Sequence, residues 1–592
     1  MKRVSPEPLG DLPIRMSVGT SVRSRAARVA AVAASRKRLD ERWQRMRRRD
    51  VWNRIGVCLA AALVIWVVGG GWSRPFPYRS GYIPPRDVVA REAFGFKNGT
   101  PAEKIFAAGD TIVEGGKPLT PRDLQVLHAE HLTHTGQANW SDRLFYSLAK
   151  IGIVLALYAL CGYYVYFHDR VLLSDWRRLT RLLVIVVVTV TAAVLVSRDA
   201  WRAECVPLVL FGMTLAIVSR REVALVLSLA VALVITLSLG QGLHELMVLT
   251  AAVSGPVIML DRVRSRTKLI YVGLYGAAIM FVAVVGIGLL ADQTFGAMYA
   301  AGWSPVDEGL TAQAGFATKL MSGAAWYAAC VILAGFLMTG LLPFTERLFD
   351  VQTDISLLEL GDAAHPLLQE LAQRAPGTYN HSINVAALAE TAADRIGANG
   401  LLVRVGAYFH DIGKMLKPLY FVENQGRDGN QHDSLVPAMS TLVIIAHVKD
   451  GVDLGRQYRL PQSIIAFIEQ HHGTTLVEYF YRQAERQVAE AQQGGKVEEA
   501  SFRYPGPKPL TKESAVLMLA DAAESACRTL VEPTPARIEG LVHEITMKRL
   551  LDGQFEKCGV TLMELNVIEE SLVKSLTAVY HGRIKYPDQQ TA

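Results

Sequence analysis

The chain has 592 residues, 51% hydrophobic and 20% charged, with a formal net charge of +7. This length implies several domains, and this apolar share excludes an ordinary single soluble domain. The first 50 residues hold 14 Lys/Arg against five Asp/Glu, and the remainder sums to a small negative charge, so the basic balance is no sign of a nucleic-acid polymer as partner.

Residues 1–54 read as a basic cytoplasmic tail, a solvated arm that fixes orientation, with anionic lipid as its alternative contact. The uncharged run 55–73 predicts a first transmembrane helix, retained as a signal anchor because it shows no small-residue cleavage pattern. Residues 74–150 are polar and form a small extracytoplasmic module, with turns at Pro84-Pro85, Gly99, Gly109, Gly115-Gly116 and Pro118. "AGDTIVEGGKPLT" predicts a short strand and a turn, and a helix opens at Thr120-Pro121.

Seven apolar runs follow within 151–345, at 151–167, 182–197, 205–219, 223–243, 246–260, 269–291 and 320–345. A bilayer takes roughly 20 apolar residues, and snorkelling Lys or Arg extends shorter runs. Runs 205–219 and 246–260 also fit buried or re-entrant segments. Arg170, Arg177, Arg178 and Arg181 occupy one loop, Arg220 and Arg221 another, and Arg262, Arg264, Arg266 and Lys268 a third. The alternate loops are poor in Lys and Arg, except for Arg198 and Arg202. This positive-inside alternation predicts eight spans with both termini in the cytoplasm. Six scattered cysteines without a C-x-x-C indicate neither a disulfide framework nor a zinc-thiolate site.

After Pro343 the charge becomes mixed. "LVRVGAYFHDIGKML", "MSTLVIIAHVKDGVDL", "PQSIIAFIEQHH", "KESAVLMLADAAESACRTL" and "LNVIEESLVKSLTAVYHGRI" each repeat apolar residues with helical period. The expected fold class is all-α: one N-terminal span plus a seven-helix bundle, a small extracytoplasmic module, and an all-helical cytoplasmic domain over 346–592.

That last domain concentrates ligand-type residues. They are His381 in "TYNHS", His410-Asp411 in "YFHDIGK", His447 after "STLVIIA", His471-His472 in "IEQHHGTT", and Asp521 inside an apolar helix. Imidazole with carboxylate suits Fe, Mn, Zn or Ni. The set is too large for one tetrahedral zinc and fits two metals sharing a bridging carboxylate, an arrangement used for in-line attack on phosphorus. A lone core histidine is usually structural, but adjacent His-Asp and His-His pairs on apolar helices point to a binuclear phosphohydrolase. His365 precedes Pro366, begins a helix, and is left out of the site.

His381, then His410-Asp411, then Asp521 is the H…HD…D pattern of the HD-domain phosphohydrolases. With "APGTYNHSINVAALAE", "HDIGKMLKPLYFVENQ", "HHGTTLVEYFY", "FRYPGPKPLTKESAVLMLADAAESACR" and "VYHGRIKYP", the chain resembles the bacterial seven-transmembrane-receptor HD family. The resemblance implies hydrolysis of cyclic di-AMP to linear pApA, at the bacterial inner membrane, with two divalent metals, Fe or Mn. It also implies that His381, His410, Asp411 and Asp521 hold one metal and that Asp411, His447, His471 and His472 hold the other, with Asp411 bridging. Lys414, one helical turn after His410, would neutralise a phosphate oxygen. Arg503, Lys508 and Arg528 are weaker candidates for substrate phosphate. Another cyclic dinucleotide or nucleotide is the alternative substrate, although "GTTLVEYFY" stands where a GYP element would mark cyclic di-GMP cleavage. A receptor that binds nucleotide without turnover is the other alternative. The lipid bilayer is the expected partner, the extracytoplasmic ligand is unassigned, and a homo-oligomer is compatible. Because the substrate is soluble, tethering predicts control, exerted by the module or bundle through a connector over 345–370.

Overall fold

A computed structural model describes residues 49–97, 103–169, 172–173, 175–197, 201–295, 315–425, 429–490 and 497–581. The basic tail up to residue 48, Gly99, Arg170 and Arg198, and most of the "VYHGRIKYP" motif lie outside the described residues.

Helix α1 (Arg49–Val68) begins before the predicted run and stops short of its end, where Gly70 takes φ +58. In the module, β1 (Val88–Val89) pairs antiparallel with β4 (Thr111–Val113), and β2 (Phe94–Lys97) with β3 (Glu103–Phe106). Helix α2 (Pro121–Gln137) opens as predicted. The Thr120 oxygen accepts from the Asp123 N–H, and the Asp123 carboxylate accepts from the Thr120 N–H. Phe94, Phe106 and Val126 form one small core, and Val113, Leu119 and Leu127 another. Strand β4 falls within the expected "AGDTIVEGGKPLT" segment, whereas β1, β2 and β3 depart from the all-α class for this module. Phe94 and Phe96 turn inward with period two, a pattern that buries one face of a hairpin rather than a helical stripe.

Helix α3 (Trp140–His168) starts inside the segment 74–150 that the sequence assigned to the module. Hydropathy marks only the lipid-facing turns, and the exposed Trp140 and Phe145 extend the helix toward the interface. There follow α4 (Trp176–Val196), α5 (Cys205–Val218), α6 (Arg221–Leu239), α7 (Leu243–Met259), α8 (Arg266–Ala291) and α9 (Phe316–Phe349). Among the described residues six helices are long and apolar enough to cross a bilayer: α1, α3, α4, α6, α8 and α9. The expected eight therefore includes two short members, α5 with 14 residues and α7 with 17. At 1.5 Å per residue, α5 falls short of a hydrocarbon core of about 30 Å. Leu208, Phe211 and Met213 of α5 are fully buried by neighbouring helices. Helices α8 and α9 approach most closely at Gly273 and Gly335, where a Cβ on Gly335 would lie 2.9 Å from the Gly273 Cα.

The chain packs as two compact units. One contains α1, α3 and the first part of α4; the other contains the module, the remaining helices and the C-terminal domain. Within the second unit, the expected connector is not one helix. Asp350 ends α9 in the left-handed region (φ 56), and Thr353 donates its N–H and hydroxyl to Glu346 before α10 (Asp354–Leu360) begins. Then come α11 (Pro366–Arg374), α12 (Pro376–Arg395), α13 (Gly400–Phe409), α14 (Pro437–Gln457), α15 (Gln462–Gln470), α16 (Glu478–Glu490), α17 (Lys512–Arg528), α18 (Pro535–Leu551) and α19 (Leu562–His581). His365 caps α11, its Nδ1 accepting from the Leu367 N–H. One core cluster joins α12, α17 and α19 around Val385, Val516 and Leu572, and a second joins α10, α11, α13 and α15 around Leu357, Phe409 and Ile464. Helix α13 belongs to both, so its C-terminal end is fixed from two sides.

Candidate metal centre

The sequence predicts one helix through "LVRVGAYFHDIGKML", but the α-helix ends at Phe409. His410 occupies the end position, and a 3-10 turn spans Ile412–Leu416. The reason is close packing against α14. A Cβ at Gly413 would lie 1.9 Å from the His447 carbonyl oxygen and 2.6 Å from the Gly451 nitrogen, so only glycine fits. That contact delivers Asp411 to His447. A second helix end, α15, is turned by Gly473 at φ +53 and presents His471-His472. His381 projects from the second turn of α12 and Asp521 from the middle of α17.

All seven ligand-type residues converge. His381, His410, Asp411 and Asp521 form one group; Asp411, His447, His471 and His472 form another, with ligand atoms in each group within 4.8 Å of one another. Asp411 belongs to both. Its Oδ2 lies 3.2 Å from His410 Nε2 and 3.7 Å from His381 Nε2, while its Oδ1 lies 3.4 Å from His447 Nε2 and 3.5 Å from His471 Nε2. Asp521 Oδ1 lies 3.0 Å from His381 Nε2 and 3.7 Å from His410 Nε2, and its Oδ2 lies 3.8 Å from His472 Nδ1. Six of the seven residues are at most 6% exposed, and His472 is half-buried.

Hydrogen bonds at the rear of the rings fix the tautomers. His410, His447 and His471 each donate Nδ1–H to the carbonyl three residues earlier, on Ala407, Ile444 and Ile468, at 2.7, 2.5 and 2.9 Å. His381 directs Nδ1 at Glu524, 2.5 Å away, and Arg528 clasps the same carboxylate at 2.6 and 2.8 Å. In their neutral form, rings held in this way turn bare Nε2 lone pairs inward. His447 and His471 then face each other with two lone pairs only 3.3 Å apart. His410 Nε2 and Asp411 Oδ1 are buried without a hydrogen-bond partner. This donor set fits cations and is costly without them.

The electrostatics of the cluster point to the same strain. Burial opposes protonation of His410, but Asp411 and Asp521 outweigh it and push the imidazole up to about 10. Burial dominates at His447; aided by His471 and Lys414, it lowers that ring to about 3 despite Asp411. The two rings are thus drawn toward opposite protonation states, a conflict that cations at the centre would remove.

Lys414 stands one 3-10 turn after Asp411 and bonds its Oδ2 at 2.7 Å and Glu423 Oε1 at 2.9 Å. Burial would lower its pKa, yet Asp411 and Glu423 hold it well above the usual lysine range. Arg503 and Lys508 do not join the cluster. Arg503 is tied to Asp552 at 3.0 and 3.1 Å and to the Thr474 carbonyl at 2.8 Å, and Lys508 bonds the Gly553 carbonyl and Glu556. Arg528 lies behind His381, as the brace of Glu524.

Four site residues escaped the sequence reading. Glu524 was detectable, because Asp521, Glu524 and Arg528 share one helix face at i, i+3 and i+7. Glu423 and Tyr504 carried no local signal; Tyr504 is buried with its ring 4.3 Å from that of His472. Arg549 is the fourth: its Nε is buried without a hydrogen bond, and burial lowers its pKa against the pull of Asp521 and Asp552.

A family model described as "HD domain" matches residues 378–526, and one described as "7TM receptor with intracellular HD hydrolase" matches residues 145–353. The chain is 38% identical over 344 residues to the cyclic-di-AMP phosphodiesterase PgpH of Bacillus subtilis, covering 57% of this chain and 44% of that one. It is 46% identical over 262 residues to the protein of the same name from Listeria monocytogenes, covering 44% of this chain and 36% of that one. The chain thus spans less than half the length of these curated relatives. The crystal structure of the L. monocytogenes PgpH HD domain in complex with cyclic-di-AMP shares 47% identity, covering 37% of this chain and 100% of that chain with a TM-score of 0.35. One family model thus matches the membrane helices and the other the ligand-rich domain, and over these two regions in series the chain is similar to seven-transmembrane receptors with an intracellular HD hydrolase.

Proposed function

We propose that this chain is a phosphodiesterase of the bacterial inner membrane that hydrolyses cyclic di-AMP to linear pApA at its cytoplasmic domain, using two divalent metals, Fe or Mn. One observation carries the metal reading: two four-residue donor groups share Asp411, with lone pairs facing inward. The substrate reading is supported by the identity to the two relatives named for cyclic-di-AMP hydrolysis. His381, His410, Asp411 and Asp521 would hold one ion, and Asp411, His447, His471 and His472 the other. When bound, such ions supply Lewis acidity, lowering the pKa of water and offsetting charge that develops at phosphorus.

The chain's own residues contribute positioning and charge. Three carbonyl-anchored imidazoles and the Arg528–Glu524–His381 relay keep the donors in register before substrate arrives. Lys414, fixed by Asp411 and Glu423, places one ammonium beside the cluster to meet a phosphate oxygen. Arg549 offers a guanidinium without an ion pair among the described residues, and so replaces Arg503 and Lys508 as the candidate for the second phosphate. Tyr504 packs its ring against that of His472.

The test uses the full chain in bilayer discs, loaded anaerobically with Fe or Mn and assayed on cyclic di-AMP beside cyclic di-GMP. Metal content should approach two per chain, and pApA should accumulate. One metal per chain with Asp411 intact would end the binuclear assignment, and equal turnover of both dinucleotides would end the substrate assignment. Orientation is tested separately. A reporter inserted at Gly109 should lie outside the cytoplasm and one after Ala592 inside; a cytoplasmic signal at Gly109 would overturn the topology.

A further inference from the structure

At the cytoplasmic ends of the membrane helices lies a cavity of about 300 Å³. Its walls come from the α5–α6 loop (Ser219, Arg220, Arg221), the α7–α8 loop (Asp261, Arg262), and the start of the catalytic half at Asp354 and Asn399. Its charge is unbalanced. Arg221 is paired with Asp261 at 2.8 Å, and Asp354 is met at 3.4 Å by Arg264 from outside the cavity. Arg220 and Arg262 form no side-chain ion pair or hydrogen bond among the described residues, and both are exposed into this space. Arg220 also opens α6, a helix of 19 residues without a side-chain cap, so its free N–H groups add positive potential at the same place, offset in part by Glu222 in the first turn.

The geometry points to a binding site for a phosphate-bearing anion, either a lipid headgroup or a free phosphate ester, clamped by Arg220 and Arg262 at the junction of the membrane bundle and the catalytic domain. Two planar guanidinium forks and a helix N-terminus match phosphate oxygens. The position also gives the ligand leverage. Asn399 caps α13 by accepting from the Leu402 N–H, and His410-Asp411 follow the other end of that helix directly. A rod of ten residues, roughly 15 Å long, therefore joins this cavity to the shared carboxylate. Helix α10, which starts at the cavity wall, packs Leu357 against the same core as Val405 and Phe409 of α13. An anion seated here steadies the start of α10 and the cap of α13, and so favours one placement of Asp411. The effect on turnover rests on the phosphodiesterase reading; the binding does not.

The experiment uses the full chain in bilayer discs of pure phosphatidylcholine or with added phosphatidylglycerol, and titrates inorganic pyrophosphate into the former. Hydrogen exchange over 352–360 and 399–405 is the readout, with native mass spectrometry for retained lipid. Protection by pyrophosphate in neutral discs identifies a soluble phosphate ligand; protection only with phosphatidylglycerol identifies a headgroup. Either should weaken by about tenfold or more in R220Q/R262Q. Ala216→Phe, which fills the cavity without changing charge, should do the same and decides the matter if the arginine variant misfolds. Protection absent under both conditions, or unchanged in the variants, overturns the site and leaves these arginines as orientation signals alone. A protein that binds the anion yet hydrolyses no cyclic di-AMP would keep the site and sink only the proposed activity.

Discussion

Replacing Asp411 with alanine is expected to lower turnover of cyclic di-AMP by more than roughly 10³-fold, about 4 kcal/mol of transition-state stabilisation. It should also take most metal out of the protein. Both oxygens of this carboxylate are in use: Oδ1 lies near His447 and His471, and Oδ2 near His410, His381 and Lys414. No other residue belongs to both donor groups. Removing it uncouples the two ion sites and leaves Lys414 buried against Glu423 alone. Lys414→Gln should be milder, since it deletes one charge-assisted contact of about 1.5–3 kcal/mol while all seven donors remain. Metal analysis beside kinetics separates the two. Full metal content in Asp411→Ala, with losses equal to those of Lys414→Gln, would show that the carboxylate does not bridge. Asp411→Asn, which keeps the volume, distinguishes lost charge from a collapsed core.

The second large effect is expected from a residue with no side chain. Gly413→Ala should cost about 10²-fold or more in turnover, because a Cβ there meets backbone on the facing helix at 1.9 and 2.6 Å. Neither atom can rotate away, so the 3-10 turn must retreat by about 1 Å, carrying Asp411 and Lys414 from the other donors. Overpacking should also destabilise the domain by roughly 1–3 kcal/mol. Gly540→Ala on α18 is the control: nothing lies within 4 Å of its Cβ, and it should be neutral or mildly stabilising. Wild-type metal content and turnover in Gly413→Ala would mean that the close approach to α14 does not set the site.

The candidate donor set was legible in the sequence because it is written in residue type. Adjacent His-Asp and His-His pairs inside apolar helical patterns announce donors that a core would otherwise reject, and the structure brings all seven together. The membrane runs and the Thr120 cap were legible for a related reason, since each is decided within a few turns of chain. Tertiary structure alone decided what depends on distant partners. Packing against His447 and Gly451 broke the helix after Phe409; buried neighbours allowed α5 to stay short; Asp552 and Glu556 claimed Arg503 and Lys508; and Glu423, Tyr504 and Arg549 came in to surround the cluster. Periodicity records which face of an element is apolar. It carries no record of which charge, from far along the chain, will meet that face, because the meeting is fixed by packing density and burial rather than by local backbone preference.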